Sequence, residues 1–147
     1  PELYAVPAAG GRPTQLLTTP AEQVRPSADG RYLVYEDRKG GENAWRKHHT
    51  SAVARDLWIH DTRTGEHRQL TTFAGEDRNP VFTDGGRAVH YLSEASGTLN
   101  VHRIDVANGA AGGAPRQLTR FTGVPVRFLS AADDGTLSVR AGGQTAR

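Results

Sequence analysis

The sequence predicts an all-β fold: a β-propeller segment with about two complete four-stranded blades and partial blades at both ends. The first observation is a Gln-Leu motif with a nearby threonine that recurs along the chain, with 54 residues between Leu16 and Leu70 and 48 between Leu70 and Leu118. The second is a glycine turn that follows each motif at a similar distance. The third is a period of two in short runs, which is typical of strands with two distinct faces. Repeats of about 40–50 residues with four strands each are typical of propeller blades.

The strands of each unit follow in order along the chain. Residues 24–26, 80–82 and 126–129 are the predicted innermost strands, and an Asp-Gly or Gly-Gly turn follows each of them. Residues 32–35 and 88–92 are the predicted second strands. In the third strand of the first unit, Leu57 and Ile59 alternate with Trp58 and His60, which predicts two distinct faces. Residues 2–6 resemble the third strand of a preceding unit.

We therefore interpret residues 1–147 as a fragment of one propeller domain. Its repeats lie at about 1–19, 20–71, 72–119 and 120–147, with an insertion at 36–55. An ordinary β-sandwich is the alternative, but three aligned units are difficult to reconcile with it. A helical fold is disfavoured because no window carries an apolar stripe of helical period. The chain starts with a proline and contains no methionine, so we expect it to be part of a longer protein. A partial propeller leaves two open sheet faces, so we also expect the segment to be poorly stable alone.

Composition excludes several classes of protein. The 18 basic and 16 acidic residues leave a net charge of +2, too small for a nucleic-acid binder recognised by charge alone. The absence of cysteine excludes disulfide frameworks and thiolate metal sites. No apolar run approaches the roughly 20 residues of a membrane-spanning helix. The periplasm and the cytoplasm both remain open as compartments.

No catalytic motif stands out in the sequence. It contains no Gly-x-Ser-x-Gly elbow, no phosphate-binding glycine loop and no His-Glu-x-x-His motif. The serines fall in turns or at strand ends, and nothing pairs them with a base. Asp84, Asp133 and Asp134 are explained as turn residues. We expect no catalytic residue, no cofactor and no metal ligand in this chain.

The insertion is the most informative stretch, because a propeller hairpin needs only a short turn and here roughly 19 residues intervene. Its basic and aromatic side chains are candidates for contacting a neighbouring domain, a second subunit or a peptide. The alternative is a loop that packs on itself and pairs its charges locally. The candidate contact residues are Arg38, Lys39, Trp45, Arg46, Lys47, His48 and His49.

Histidines could in principle bind a metal. The adjacent pair His48 and His49 would point to opposite faces on a strand, and a site needs three or four ligands. We therefore do not expect a metal there. His60, His67, His90 and His102 fall at strand positions and are predicted to be partly buried packing residues.

Several runs resemble the propellers of tricorn-like serine peptidases, which belong to the C-terminal-processing peptidase family. The most specific is the Trp-Arg-Lys-His-His run at 45–49, within the similar stretch 35–51. The runs at 54–58, 75–82, 91–94, 97–101 and 125–130 are also similar. The Asp-Gly turns are less specific, since TolB-like proteins and prolyl-oligopeptidase relatives share them.

The resemblance implies a larger enzyme in which propellers scaffold the assembly and admit or filter peptide substrates. Its partners would be the remaining blades, a PDZ-like domain and a C-terminal peptidase domain, with a homo-oligomer possible and no nucleic acid or membrane span. The alternative function is a TolB-like or general protein-interaction propeller with no peptidase role. A nucleic-acid role for the basic insertion is disfavoured because acidic residues interleave and no aromatic stacking array accompanies them.

Overall fold

The computed structural model describes residues 2–41, 50–132, 134–142 and 144–146, and these form an all-β fold. No α-helix occurs in these ranges, and the one helical turn is a 3-10 turn at Asp84–Gly86. None of the described residues belongs to a helix long and apolar enough to cross a membrane. The prediction of an all-β architecture is confirmed.

The strands form four antiparallel sheets that follow one another along the chain. The first sheet holds β1 (Leu3–Ala5) and β2 (Thr14–Leu17). The second sheet has the order β3 (Ala21–Pro26), β4 (Tyr32–Asp37), β5 (Leu57–Asp61), β6 (His67–Gln69).

The third sheet contains β7 (Asp77–Thr83), β8 (Ala88–Ser93), β9 (Asn100–Ala107), β10 (Ala110–Ala111) and β11 (Arg116–Gln117), the last two both pairing with β9. The fourth sheet contains β12 (Val126–Ala131), β13 (Leu137–Ala141) and β14 (Gln144–Ala146). Each predicted innermost and second strand lies within an observed strand. The division into blades remains a prediction.

The turns after β3, β7 and β12 explain the repeated glycines. Gly30, Gly86 and Gly135 have φ values of 69°, 88° and 84°. A side chain is disfavoured in this left-handed region, so glycine is the residue that closes these hairpins at lowest cost.

Alternation along the strands gives the second and third sheets two buried faces each. Leu57 and Ile59 point towards the third sheet, where they share a core with Val89 and Ile104. On the opposite face, Tyr35 packs with residues of the first sheet. A further core joins the third and fourth sheets. The sheets are therefore stacked face to face, as the period-two pattern predicts.

The recurring Gln-Leu-Thr motif ties the outer end of each unit to its third strand. The hydroxyl of Thr71 accepts a 3.1 Å hydrogen bond from the Leu57 amide, and Thr119 accepts one of 2.9 Å from Val101. Gln69 and Gln117 each donate to the carbonyl of the threonine two residues later. The motif recurs because the same backbone amide must be satisfied in both sheets.

Candidate functional site

A polar cavity of about 240 Å³ lies where the first strands of three successive sheets meet. β7 contacts both β3 and β12, so the three strands surround a common space. Each strand contributes two adjacent residues to the lining, and Glu36 and Arg55 complete it. The six strand residues are Glu22, Gln23, Arg78, Asn79, Arg127 and Phe128.

The second residue of each pair has a left-handed backbone. The φ values are 50° at Gln23, 51° at Asn79 and 57° at Phe128. Each lies at a shift in strand register, as expected for a β-bulge. Residues other than glycine, asparagine and aspartate rarely adopt this backbone conformation. Strained backbone of this kind concentrates at functional sites. Recurrence at one position in three sheets marks the cavity as a candidate site.

Arg55 is the electrostatic centre of this cavity. Its guanidinium lies 3.0 Å from Glu76, 3.2 Å from Glu22 and 3.4 Å from Glu36. Only 11 % of its side chain is exposed. Burial lowers the pKa of Arg55, but the three carboxylates outweigh this and raise it overall. Arg55 thus joins carboxylates of the second sheet to Glu76, which leads into the third.

Glu36 occupies a position that is apolar in the next sheet. Glu36 pairs with Glu22 across the strands, and the corresponding pair in the third sheet is Leu92 with Arg78. The buried Glu36 carboxylate accepts a 2.7 Å hydrogen bond from the Asn79 backbone amide. Burial raises the pKa of Glu36, while the Asn79 amide and Arg55 oppose the rise. Glu36 thus stands where the third sheet has the buried Leu92, and its carboxylate binds the backbone of β7 at the bulge.

Arg127 and Phe128 form the wall contributed by the fourth sheet. Burial and the neighbouring Arg78 lower the pKa of Arg127. Phe128 is 60 % exposed although it is strongly apolar. With the amides of Gln23 and Asn79, these groups offer aromatic, guanidinium and amide contacts of the kind that bind polypeptide chains. The described lining contains no serine, cysteine or histidine, and therefore no nucleophile with a histidine base.

The described ends of the insertion are anchored beside this cavity. Arg38 donates a 2.8 Å hydrogen bond to one oxygen of Glu22, and Arg55 contacts the other. Lys39 donates to the Ala54 carbonyl at 2.9 Å. Both ends of the segment between β4 and β5 therefore converge on the Glu22 carboxylate.

The segment between β4 and β5 starts two residues later than the insertion predicted from the sequence. β4 continues through Asp37, so Glu36 and Asp37 are strand residues and the segment between the strands starts at Arg38. The strand extends because Glu36 and Asp37 pair with Glu22 and Ala21.

Of the predicted contact residues, Arg38 and Lys39 lie in the described part of the chain. Both pair locally: Arg38 with Glu22, and Lys39 with Asp56 and Asp37. Trp45, Arg46, Lys47, His48 and His49 lie outside the described residues. The contact role of the whole set remains a prediction.

A second cavity, of about 420 Å³, lies on the other face of the second sheet, beside Arg38 and Lys39. Its wall contains Tyr35, Trp58 and His67. The Trp58 indole donates to Asp37 at 3.1 Å, and the Tyr35 hydroxyl lies 2.8 Å from His67 Nδ1. Burial and Asp37 raise the pKa of Tyr35 to about 12, so this hydroxyl stays protonated. These contacts fix the rings as packing groups.

The four histidines in the described part of the chain occupy packing positions. His60, His90 and His102 are buried, and His67 is half-buried with its ring 4.3 Å from that of His60. Burial lowers the pKa of His67, His90 and His102. No group of three or more metal-binding side chains gathers anywhere in the described ranges.

The residues that line the cavity are not among the contact residues predicted from the sequence, but the sequence does contain a pattern that marks three of them. Gln23, Asn79 and Phe128 each precede the turn glycine of their unit by seven residues. Gln23 and Asn79 are amides but Phe128 is aromatic, so similarity of residues alone does not reveal the recurrence. Aligning the three units on their turn glycine places these residues at the same position and reveals the recurrence.

Comparison with known proteins agrees with this architecture. The sequence matches the family described as the tricorn protease N-terminal beta propeller domain over residues 1–145. The search of curated proteins found no match.

Among solved structures, the crystal structure of the tricorn protease superposes with a TM-score of 0.75 at 22 % identity, covering 98 % of this chain and 13 % of that one. A putative TolB from Agrobacterium tumefaciens gives a TM-score of 0.75 at 19 % identity, over 95 % of this chain and 45 % of that one. A puromycin-hydrolyzing peptidase from Mycobacterium tuberculosis gives 0.62 at 16 % identity, over 99 % and 27 %.

The chain thus spans less than half the length of each of these proteins. The match to the family covers nearly all of its residues, and the matching structures share its fold. The chain belongs to the family of tricorn protease N-terminal β-propeller domains.

Proposed function

We propose that this chain is a non-catalytic propeller segment of a tricorn-like serine peptidase, which scaffolds the enzyme and admits or filters peptide substrates. The observation that carries the proposal is the cavity at β3, β7 and β12, read together with the family. Its lining supplies amide, guanidinium and aromatic groups, and the ends of the insertion are anchored beside it. Rigid strands hold these groups, and such preorganisation favours binding.

In this proposal the partners are the remaining blades, a PDZ-like domain and a peptidase domain elsewhere in a longer protein. Substrate peptides would contact the cavity and the insertion residues Arg38, Lys39, Trp45, Arg46, Lys47, His48 and His49. Phe128 would contact an apolar side chain of the peptide, and Gln23 and Asn79 would offer amides to its backbone.

A TolB-like or general interaction propeller is the second candidate. The TolB from Agrobacterium tumefaciens has the same TM-score as the tricorn protease, and fold similarity alone does not separate the two. In that case the same cavity would bind a protein partner, and the longer protein would have no peptidase activity.

The deciding experiment measures cleavage of unstructured peptides by the intact protein. It compares the natural sequence with Phe128→Ala and with a deletion of residues 45–51. Phe121→Ala is the matched control, because Phe121 is an exposed phenylalanine outside the cavity. We expect kcat/KM for long peptides to fall at least fivefold in Phe128→Ala and in the deletion. It should stay unchanged in the control, and a short reporter substrate should be cleaved at the normal rate.

The two candidates predict different outcomes. Complete absence of cleavage by the intact, folded protein would reject the peptidase role and favour the interaction propeller. Cleavage that is equal in all variants would keep the peptidase but reject substrate handling by this cavity and insertion.

A further inference from the structure

Asp77 is a buried carboxylate at the start of β7, in the contact between the second and third sheets. We call this contact the seam; its buried core consists of Val34, Leu57, Ile59, Leu70, Val89, Tyr91, Ile104 and Val106. Asp77 is 1 % exposed, and its backbone amide donates to the Arg55 carbonyl at 3.1 Å. It therefore lies where the backbone passes from one sheet to the next.

The position is apolar in the neighbouring sheets. Asp77 pairs with Ser93, and the corresponding residues of β3 and β12 are Ala21, paired with Asp37, and Val126, paired with Ala141. Ala21 and Val126 are both buried. A carboxylate thus stands in a place that the architecture fills with small apolar side chains.

Within the part of the chain that the structure describes, neither oxygen of Asp77 has a hydrogen-bond partner of good geometry. The other buried acids beside it are compensated, since Glu36 and Glu76 both contact Arg55. Burying an ionised carboxylate without a partner is costly, and protonation removes most of that cost.

The groups that face Asp77 do not neutralise it. Burial, with smaller contributions from Asp56 and Glu76, raises the pKa of Asp77 to about 7, and the hydroxyls of Ser93 and Thr71 oppose this rise only in part. Tyr91 is the titratable neighbour on β8. The nearby cations serve other acids: Lys39 pairs with Asp56, and Arg55 and Arg78 pair with Glu76.

We propose that Asp77 makes the seam a proton-sensitive contact, closed most firmly when its carboxyl is protonated and loosened when it ionises. The neutral acid can donate its proton to a hydroxyl of Thr71 or Ser93 and pack against the core. The ionised form carries an uncompensated charge within the seam. Because β7 also lines the polar cavity, loosening of the seam frees one of the three strands that shape that cavity.

The direction in which pH shifts the opening of the seam follows from proton linkage. An exposed aspartate ionises near pH 3.9, whereas the closed seam keeps Asp77 protonated up to about pH 7. Between these values the open form releases a proton that the closed form retains. Opening therefore becomes more favourable by about tenfold per pH unit, and the effect levels off above pH 7.

Hydrogen exchange measured by mass spectrometry on the intact protein tests this proposal. Protection of the segments around residues 33–36, 57–60 and 89–92 is followed from pH 5 to pH 8 in the natural protein and in Asp77→Asn. The opening constant of each segment in the natural protein is divided by the same constant in Asp77→Asn. This opening ratio is free of the intrinsic pH dependence of exchange. We expect the opening ratio to rise by at least tenfold from pH 5 to pH 7 and then to become constant.

Two further variants make the result decisive. Asp77→Val copies the residue at the equivalent place in β12 and should behave like Asp77→Asn, and Asp134→Asn, at an exposed turn, should behave like the natural protein. If neither Asp77 variant folds, the reference becomes the β12–β13 hairpin of the natural protein. A ratio that stays constant with pH in these comparisons overturns the proposal.

Discussion

The Glu36 carboxylate on β4 accepts a 2.7 Å hydrogen bond from the backbone amide of Asn79, the residue at which β7 bulges. One sheet therefore fixes the backbone of the next at the edge of the cavity. The bond is charge-assisted and buried, which makes it stronger than an exposed one.

Replacing Glu36 by leucine, the residue at the equivalent position of β8, should lower the free energy of unfolding by about 2 kcal/mol. The Asn79 amide loses its acceptor inside the protein, and Arg55 loses one of its three carboxylates. Urea unfolding measures the change. The matched control is Glu66→Leu, which removes an exposed pair with Arg68 and should cost less than about 1 kcal/mol. An equal loss of unfolding free energy in the two variants would mean that the hydrogen bond to Asn79 contributes no more to stability than an exposed ion pair.

Arg55→Met should destabilise the protein more severely, by about 3–5 kcal/mol, because the buried Glu36 and Glu76 lose their common partner. Arg55→Lys should restore part of the stability, since one ammonium cannot contact all three carboxylates at once. The control is Arg68→Met at an exposed pair. A small effect of Arg55→Met, measured by urea unfolding, would show that water replaces the guanidinium.

Thr71→Val and Thr119→Val remove the hydroxyls that accept from the third-strand amides of Leu57 and Val101. Valine keeps the shape, so each change should cost about 1–3 kcal/mol from the unsatisfied amide. Hydrogen exchange should accelerate at Leu57 in the first variant and at Val101 in the second. Exchange that accelerates throughout the chain instead would indicate general loosening.

Phe128→Asn should raise the free energy of unfolding by about 1 kcal/mol, because asparagine tolerates the left-handed backbone and Phe128 buries little surface. If the proposed peptide role is correct, the same variant loses cleavage of long peptides while it gains stability. Thermal unfolding and kinetic assays measure the two effects. A simultaneous loss of stability would show that the ring supports the fold.

Arg31 and Asp61 predict an acid-sensitive turn. The hydrogen bond from Arg31 lowers the pKa of Asp61 to about 2, so the carboxylate favours the folded state above its unfolded pKa of 3.8. That contribution is lost as the pH falls through about 2. The melting temperature should therefore drop between pH 4 and pH 2, and Arg31→Gln should reduce this drop. An unchanged pH profile in Arg31→Gln would contradict the assignment.

The sequence predicted the sheets better than the site. Alternation at Leu57 and Ile59 and the glycine turns follow from local geometry, which a single strand or hairpin displays. Arg55 lies within the predicted insertion, but no local pattern marks it as the centre of the cavity, because its carboxylate partners come from three places in the chain. Such long-range convergence has no local pattern, and the residues paired with it become apparent only when the sheets are stacked.

The bulge shared by Gln23, Asn79 and Phe128 has a practical consequence for engineering. Three positions around one cavity have the same backbone conformation, while two of them carry an amide and the third an aromatic ring. Exchanging these side chains among the three strands would move the aromatic contact of the cavity from one sheet to the next. The bulges thus set where side chains enter the cavity, and the residue at each bulge sets which chemical group enters there.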